Sequence, residues 1–548
     1  MQPIRLKNIK PIEEIGYRIN KSYSRLEDVF YRPASLFGAY NHEWPGDWEG
    51  RTLLALVLME DITGRKPAYY DAIMEAIEAD KNELGYMKGI LPQGEVSEQQ
   101  LSGHNWLLRA LLERFVRKQD EKAEEMAKTI VRKLYLPLKE KYAVYPTNVE
   151  ERSFEGGAAG HQEGKPVNGW HLSTDIGCAY MSLDALGQYY GLFGDENVAQ
   201  LLDAMIDSLK RIDLKGSSMQ THATLSATRG ILYYYEATGR QELLELAKDL
   251  FSYYKKYGMT ENYANYNWFG RPFWTEPCAI IDSFLVAIRL FQFTQDWSYA
   301  NTANRIFYNA LLSAQRSNGG FGCDTCAGAE ENGTVMTVKE GLYEAFFCCS
   351  MRGAEGLTAS VSYSILEGEN TVSFTNYLNG CYEGAQASYR VSGRYPYDGD
   401  VQIGIAQNRG KLCVRLFIPD HTSNHRVTWN GETIPFEQKD NHLVVQVVGS
   451  GVLSLKFENE VAWEPCVCDQ TPAGYESCWH GILQYGKLLQ EEELPLGFTQ
   501  LAIEGGLYIP LSDRMYYPKA LQDGIEIIRK KKNHEGADEK YITSDGFV

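Results

Sequence analysis

Through the first two-thirds of the chain, apolar residues recur at three- and four-residue spacing, the signature of helices that bury one face. Segments 51–61, 103–118, 121–135, 176–193, 196–212, 222–237, 242–257, 278–294 and 299–316 all carry it. Asp61-Ile-Thr-Gly64, Leu192-Phe-Gly-Asp195 and Glu236-Ala-Thr-Gly239 punctuate the run, and glycine suits the left-handed position just past a helix end. Recurrent helix–turn–helix units from about residue 10 to 360 predict an α/α toroid of paired inner and outer helices. A non-repeating helical bundle is the alternative.

Near Leu357 the period changes to two. Alternating runs begin at Thr371, Ala387, Leu412, His425 and His442, and Asn430-Gly431 marks a hairpin turn. The predicted fold class is therefore α + β multidomain: an (α/α)6 toroid or barrel over 1–358, then an antiparallel β-sandwich over 359–460. Residues 461–548 read as a β-rich or mixed C-terminal region, with an exposed charged run from Lys530.

Composition narrows the chemistry. A net charge of −18 argues against nucleic acid and anionic membrane partners. The 36 Tyr and 10 Trp supply flat faces and polar edges of the kind that stack on sugars. Residues 1–20 lack an apolar signal-like core, and no run reaches the roughly 18 apolar residues of a membrane span. Eleven cysteines, an odd number, fit a reducing compartment. A cytoplasmic location is expected, and a homodimer is compatible with the sequence.

The densest chemistry lies in Trp274-Thr-Glu276-Pro-Cys278 and Cys348-Cys349. Glu276 and Cys278 share one helix start, and the cysteine pair adds two sulfurs from a second segment. One carboxylate and three thiolates suit tetrahedral Zn²⁺, whether catalytic or structural; buried, metal-free thiols are the plainer reading. Glu43-Trp44-Pro-Gly-Asp47-Trp48 offers indoles beside carboxylates, suited to a sugar platform or to simple packing. Cys323-x-x-Cys326 reads as unpaired loop thiols, with a redox pair or a second metal half-site as alternatives. Glu330-Glu331 places two more carboxylates nearby.

Glu276-Pro-Cys278, Arg305-Ile-Phe-Tyr308-Asn309 and Cys348-Cys349-Ser-Met-Arg-Gly together resemble glycoside hydrolase family 127, the β-L-arabinofuranosidase family, and its relatives in family 146. The resemblance implies a retaining glycosidase acting on a small carbohydrate or oligosaccharide. In it Cys348 is the nucleophile, and Glu276, Cys278, Cys348 and Cys349 hold Zn²⁺. It also implies an acid/base glutamate about sixteen residues before Glu276, a place closest to Glu261, with Glu43 as the next carboxylate. His104, His222 and Trp44 are expected at the sugar. Two departures stand out: Asn304 occupies a position where the family has glutamate, and a helix-start histidine gives way to Asp175-Ile-Gly177-Cys178. Both positions are expected to touch sugar, so the substrate is less constrained than the reaction.

Two rival readings remain. One is an α/α-barrel glycosidase or lyase using paired carboxylates such as Asp175, Asp47 and Glu43, with zinc structural or absent. The other is a non-catalytic carbohydrate-binding protein.

Overall fold

The computed structural model describes the 548-residue chain except for residues 39–42, 153–159, 163, 327–335, 409, 467–474, 489–500, 504–505, 517–524, 528 and 532–548. Twelve principal helices occur among the described residues: α1 Glu13–Leu26, α2 Asp47–Thr63, α3 Tyr70–Asp80, α4 Glu98–Lys118, α5 Glu121–Ile130, α6 Ser182–Phe193, α7 Glu196–Leu209, α8 Thr221–Thr238, α9 Gln241–Tyr257, α10 Pro277–Thr294, α11 Trp297–Ile306 and α12 Cys349–Tyr363. The even-numbered helices pack each on the next, and α12 packs back on α2, closing an inner ring of six. The odd-numbered helices form the outer layer: α3, α5, α7, α9 and α11 each cover the helix before them, and α1 covers α12 and α2. The expected toroid of paired helices is the observed architecture.

The turn from inner to outer helix follows one chemical rule. Helices α2, α4, α6, α8 and α10 end on Gly64, Gln119, Gly194, Gly239 and Gln295, all with positive φ. After three of these, an aspartate accepts hydrogen bonds from the first free N–H groups of the outer helix: Asp120, Asp195 and Asp296. Helix α10 is apolar enough, by length and composition, to cross a membrane, but 89% of that window is buried within the barrel. Neighbours on all sides explain its composition.

Two antiparallel-dominated sheets follow the barrel, one of six and one of seven strands. The N-terminal segment joins both: Gln2–Pro3 pairs with Ile365–Gly368, and Ile9–Pro11 pairs with Gly380–Glu383. A third sheet takes in Val461–Pro465, Tyr475–His480 and Leu483–Leu488 together with Met336–Leu342 and Cys323–Thr325, a hairpin that belongs by sequence to the helical half. Arg529–Lys531 is a strand of this sheet, and the rest of the charged run lies outside the described residues.

Arg305 and its neighbours rivet barrel to sheets. The Arg305 guanidinium, 4% exposed, pairs with Glu464 at 2.5 Å and Asp420 at 2.9 Å. Tyr308 donates to Asn376 at 2.7 Å, and Asn309 bonds to Ile482 and Gln484. Asn304 sits on the same seam, donating to the carbonyls of Ala300 and Thr375. The Arg-x-x-Tyr-Asn pattern is thus an interdomain joint, and Asn304 faces that joint instead of a sugar.

Two predictions follow from this packing. A Cβ on Gly50 of α2 would lie 2.2 Å from the Leu107 backbone nitrogen on α4, a clash no rotamer can relieve. Gly50→Ala should destabilise by roughly 1–3 kcal/mol or more, read from denaturant midpoints. Burial opposes ionisation of Glu464, but Arg305 and His421 outweigh it and hold its pKa down to about 2. The rivet therefore stabilises fully above the ordinary carboxylate range and is lost as pH falls toward 2. The melting-temperature advantage of wild type over Glu464→Gln should accordingly be full at pH 6 and shrink through pH 4 and below.

Candidate active site

All six inner helices send residues from their amino-terminal ends to one cavity of about 520 Å³. Asp47 and Arg51 come from the start of α2 and Ser102 from α4. Asp175 and Met181 precede α6, and Gln220 and His222 flank the first residue of α8. Glu276 caps α10 with Cys278 in its first turn, and Cys348 and Cys349 open α12. Helix amino termini carry partial positive charge and unpaired N–H groups, which favours thiolates and carboxylates there.

The cysteine cluster is tight. Cys348 Sγ lies 3.3 Å from Cys349 Sγ, and Cys278 Sγ lies 3.6 Å from Cys349 Sγ. Arg51 Nη1 is 3.4 Å from Cys278 Sγ, while its Nε donates to Asp47 at 2.9 Å and its guanidinium lies over the Trp106 ring. His222 Nδ1 is 3.2 Å from Glu276 Oε1, and its Nε2 is 3.3 Å from Asp282 Oδ2. Burial opposes the charged form of His222, but Glu276 and Asp282 on its two sides raise its pKa. Asp282 belongs to a lumen network in which Arg109, Arg229 and Arg352 alternate with Asp184, Asp282 and Glu355. The position of Glu276 is thereby tied to the barrel interior.

The donor set suits a soft divalent cation. Cys278, Cys348 and Cys349 present sulfurs within 4.8 Å of one another, and His222, Glu276 and Cys278 form an overlapping set of the same span. Burial pushes the Cys278 and Cys349 thiols well above their ordinary range. Cys348 is raised as well: the contact with Cys278 favours its thiolate, but Cys349 and burial outweigh it. Three crowded thiols lose their protons together only beside concentrated positive charge, which a metal ion supplies and Arg51 alone does not.

Among the expected site residues, Trp44, His222, Glu276, Cys278, Cys348 and Cys349 gather around this cavity. His104 does not line it. Buried in α4, His104 accepts from the Met87 N–H and meets the Gln100 carbonyl at 2.8 Å, so both ring nitrogens serve packing. Glu261 also lies outside the lining. Its loop packs on the sheet seam, where Gln484 donates to the Glu261 carbonyl and Asn262 to Asn309. Glu43 is exposed beside His161, and Glu330 and Glu331 lie outside the described residues.

Several lining residues were not anticipated. Cys323 and Thr325 alternate on one face of a strand and reach the cavity, where Cys323 interacts with the Cys349 thiol. Between them Asp324 turns away to Arg316 and Arg514, while Cys326 contacts the Asn265 carbonyl. Asn267, Phe273 and Trp274 come from the loop before α10, and Phe273 and Phe347 are each 49% exposed at the cavity's edge. Among the described residues, three carboxylates line the cavity: Asp47, Asp175 and Glu276. Burial, aided by the charge of Glu276, raises the Asp175 pKa to about 7.

Residues 257–362, which hold Glu276 and the three cysteines, match the family model described as the beta-L-arabinofuranosidase GH127 catalytic domain. This segment is of GH127 type. It is a glycoside hydrolase catalytic segment, as the resemblance implies. The fold agrees along nearly the whole chain. A structure of a GH127 beta-arabinofuranosidase superposes with a TM-score of 0.65 at 14% identity, over 99% of this chain and 93% of that one. The GH127 beta-L-arabinofuranosidase of Geobacillus stearothermophilus T6 gives 0.63 at 14% identity, over 98% and 95%. A structure described as a glycoside hydrolase gives 0.66 at 14%, over 98% and 92%. No curated protein matches the sequence.

The donor set predicts one bound metal ion per chain by elemental analysis of protein purified without chelator. Cys278→Ser and Cys349→Ser should each lower that stoichiometry several-fold, and His104→Gln should leave it unchanged.

Proposed function

We propose that this chain is a retaining glycoside hydrolase that releases a terminal furanoside resembling β-L-arabinofuranose, with Cys348 as nucleophile and zinc as the metal. The observation that carries the reading is the unequal exposure of the clustered sulfurs. Cys348 and Cys349 both line the cavity, but Cys349 is fully buried, as is Cys278, whereas Cys348 is only partly buried. A buried thiolate can hold a metal; one facing the cavity can also reach an anomeric carbon.

Glu276, Cys278, Cys348 and Cys349 would hold the zinc, with His222 fixing the Glu276 carboxylate. When bound, zinc supplies the positive charge that keeps the thiols ionised at neutral pH. The remaining work falls to the chain. Arg51 sets a permanent cation beside Cys278, and its own partner Asp47 holds it in place. Gln220 and Asn267 offer hydrogen bonds to sugar hydroxyls, and Trp44, Phe273, Trp274 and Phe347 offer apolar faces. The Cys348 sulfur attacks the anomeric carbon as the glycosidic C–O bond breaks, and water later displaces the sulfur, so two inversions give net retention. Two GH127 structures that share the fold, both of β-arabinofuranosidases, support the choice of sugar.

An anomerically electrophilic β-L-arabinofuranose analogue should add one sugar-sized mass to the tryptic peptide containing Cys348. Fragmentation is expected to place it on Cys348. An adduct on a carboxylate, or full activity in metal-loaded Cys348→Ser, overturns the mechanism.

A further inference from the structure

Retention through a sulfur nucleophile still needs a group that gives a proton to the leaving oxygen and then takes one from water. That need rests on the thiolate reading proposed above. The residue expected for the task, Glu261, lies on the sheet seam outside the cavity. Three described carboxylates remain in the lining, and two are already engaged. Asp47 is ion-paired to Arg51 at 2.9 Å. Glu276 is held by His222 at 3.2 Å and by Gln220 at 3.4 Å.

Asp175 differs from both. It sits in the turn leading into α6, lines the cavity and is 8% exposed. The Ser173 hydroxyl accepts from its backbone N–H at 3.1 Å, which steadies the turn without using the carboxyl group. Its Oδ1 has no hydrogen-bond partner, and no described arginine, lysine or histidine pairs with it within 4 Å. A buried carboxyl oxygen left unsatisfied is costly, so a ligand atom is the natural partner. A buried carboxyl group that makes no ion pair can also carry a proton near neutral pH, as a general acid must.

We propose that Asp175 is the acid/base of the reaction. In the first half-reaction the carbon–sulfur bond to Cys348 forms, the glycosidic carbon–oxygen bond breaks, and the Asp175 proton passes to the departing oxygen. In the second, the Asp175 carboxylate takes a proton from water as the water oxygen bonds to the anomeric carbon and the thiolate leaves. The sum is one water consumed per glycosidic bond, with both residues restored.

The test compares wild type and Asp175→Asn, both metal-loaded, on 4-nitrophenyl β-L-arabinofuranoside and on the methyl glycoside. For Asp175→Asn, turnover of the methyl glycoside should fall about 10²–10⁴-fold. On the nitrophenyl substrate the first bond should still break in a burst, leaving a sugar adduct on Cys348. Added azide, which needs no general base, should restore turnover and yield the glycosyl azide. Metal content and melting temperature should match wild type, and Asp175→Glu should recover part of the methyl-glycoside activity. Equal losses on both substrates without azide rescue would overturn the assignment, as would near-normal activity on the methyl glycoside. A Cys348 adduct that forms normally in wild type but shows no azide response in Asp175→Asn would reject Asp175 alone. A wild type inactive on both substrates, or labelled on a carboxylate, would overturn the thiolate reading and this proposal with it.

Discussion

The site depends on the closure of six inner helices with their amino termini converging at one end. Each terminus brings unsatisfied N–H groups and partial positive charge, so anionic side chains placed there are stabilised before any ligand arrives. Cys348 and Cys349 at the start of α12, and Glu276 and Cys278 at the start of α10, exploit the same property from neighbouring helices. Close approach makes the convergence possible. Gly50 abuts the backbone of Leu107, and Gly230 that of Leu183, so adjacent inner helices meet main chain to main chain.

The barrel interior is as polar as its mouth. Three arginines and three carboxylates fill the lumen, every one nearly buried, and the run from Asp282 through His222 to Glu276 links that network to the sulfur cluster. Burying so many charges is tolerable only because each arginine has more than one acidic neighbour. The network adds directional constraints an apolar lumen would lack, and they bear on Glu276, the carboxylate beside the clustered sulfurs.

The helix pairs were legible because the outer helices keep an apolar stripe and three turns announce themselves with glycine. Gln119 and Gln295 perform the same left-handed turn without that flag. The lumen network was invisible for a stronger reason: its members lie on five different helices, and no local period joins Arg109 to Glu355. Glu276, Cys278, Cys348 and Cys349 could be found because their types and adjacency are unusual. Glu261 matches the acid/base place only by its count along a loop, and a count carries no information once the loop folds on itself. Here it doubles back through bridges between Met259 and Asn265 and between Gln220 and Trp268, which leaves Glu261 on the seam. Asn304 points to the sugar only through its place beside a motif whose other members join the domains. Cys323 was legible as a thiol but not as a cavity residue, since its strand is positioned by partners far along the chain.

That strand pairing has a consequence for how the protein comes into being. Cys323 and Thr325 stand in the cavity wall because Cys323–Thr325 pairs with Met336–Leu342, which pairs in turn with Ile525–Ile527. During synthesis all six inner helices leave the ribosome long before residue 525. The nascent barrel can close its ring and bring its sulfurs together while one side of the cavity still lacks its outermost support. The reactive pocket is therefore finished late, by a segment that contributes no lining residue of its own among those described.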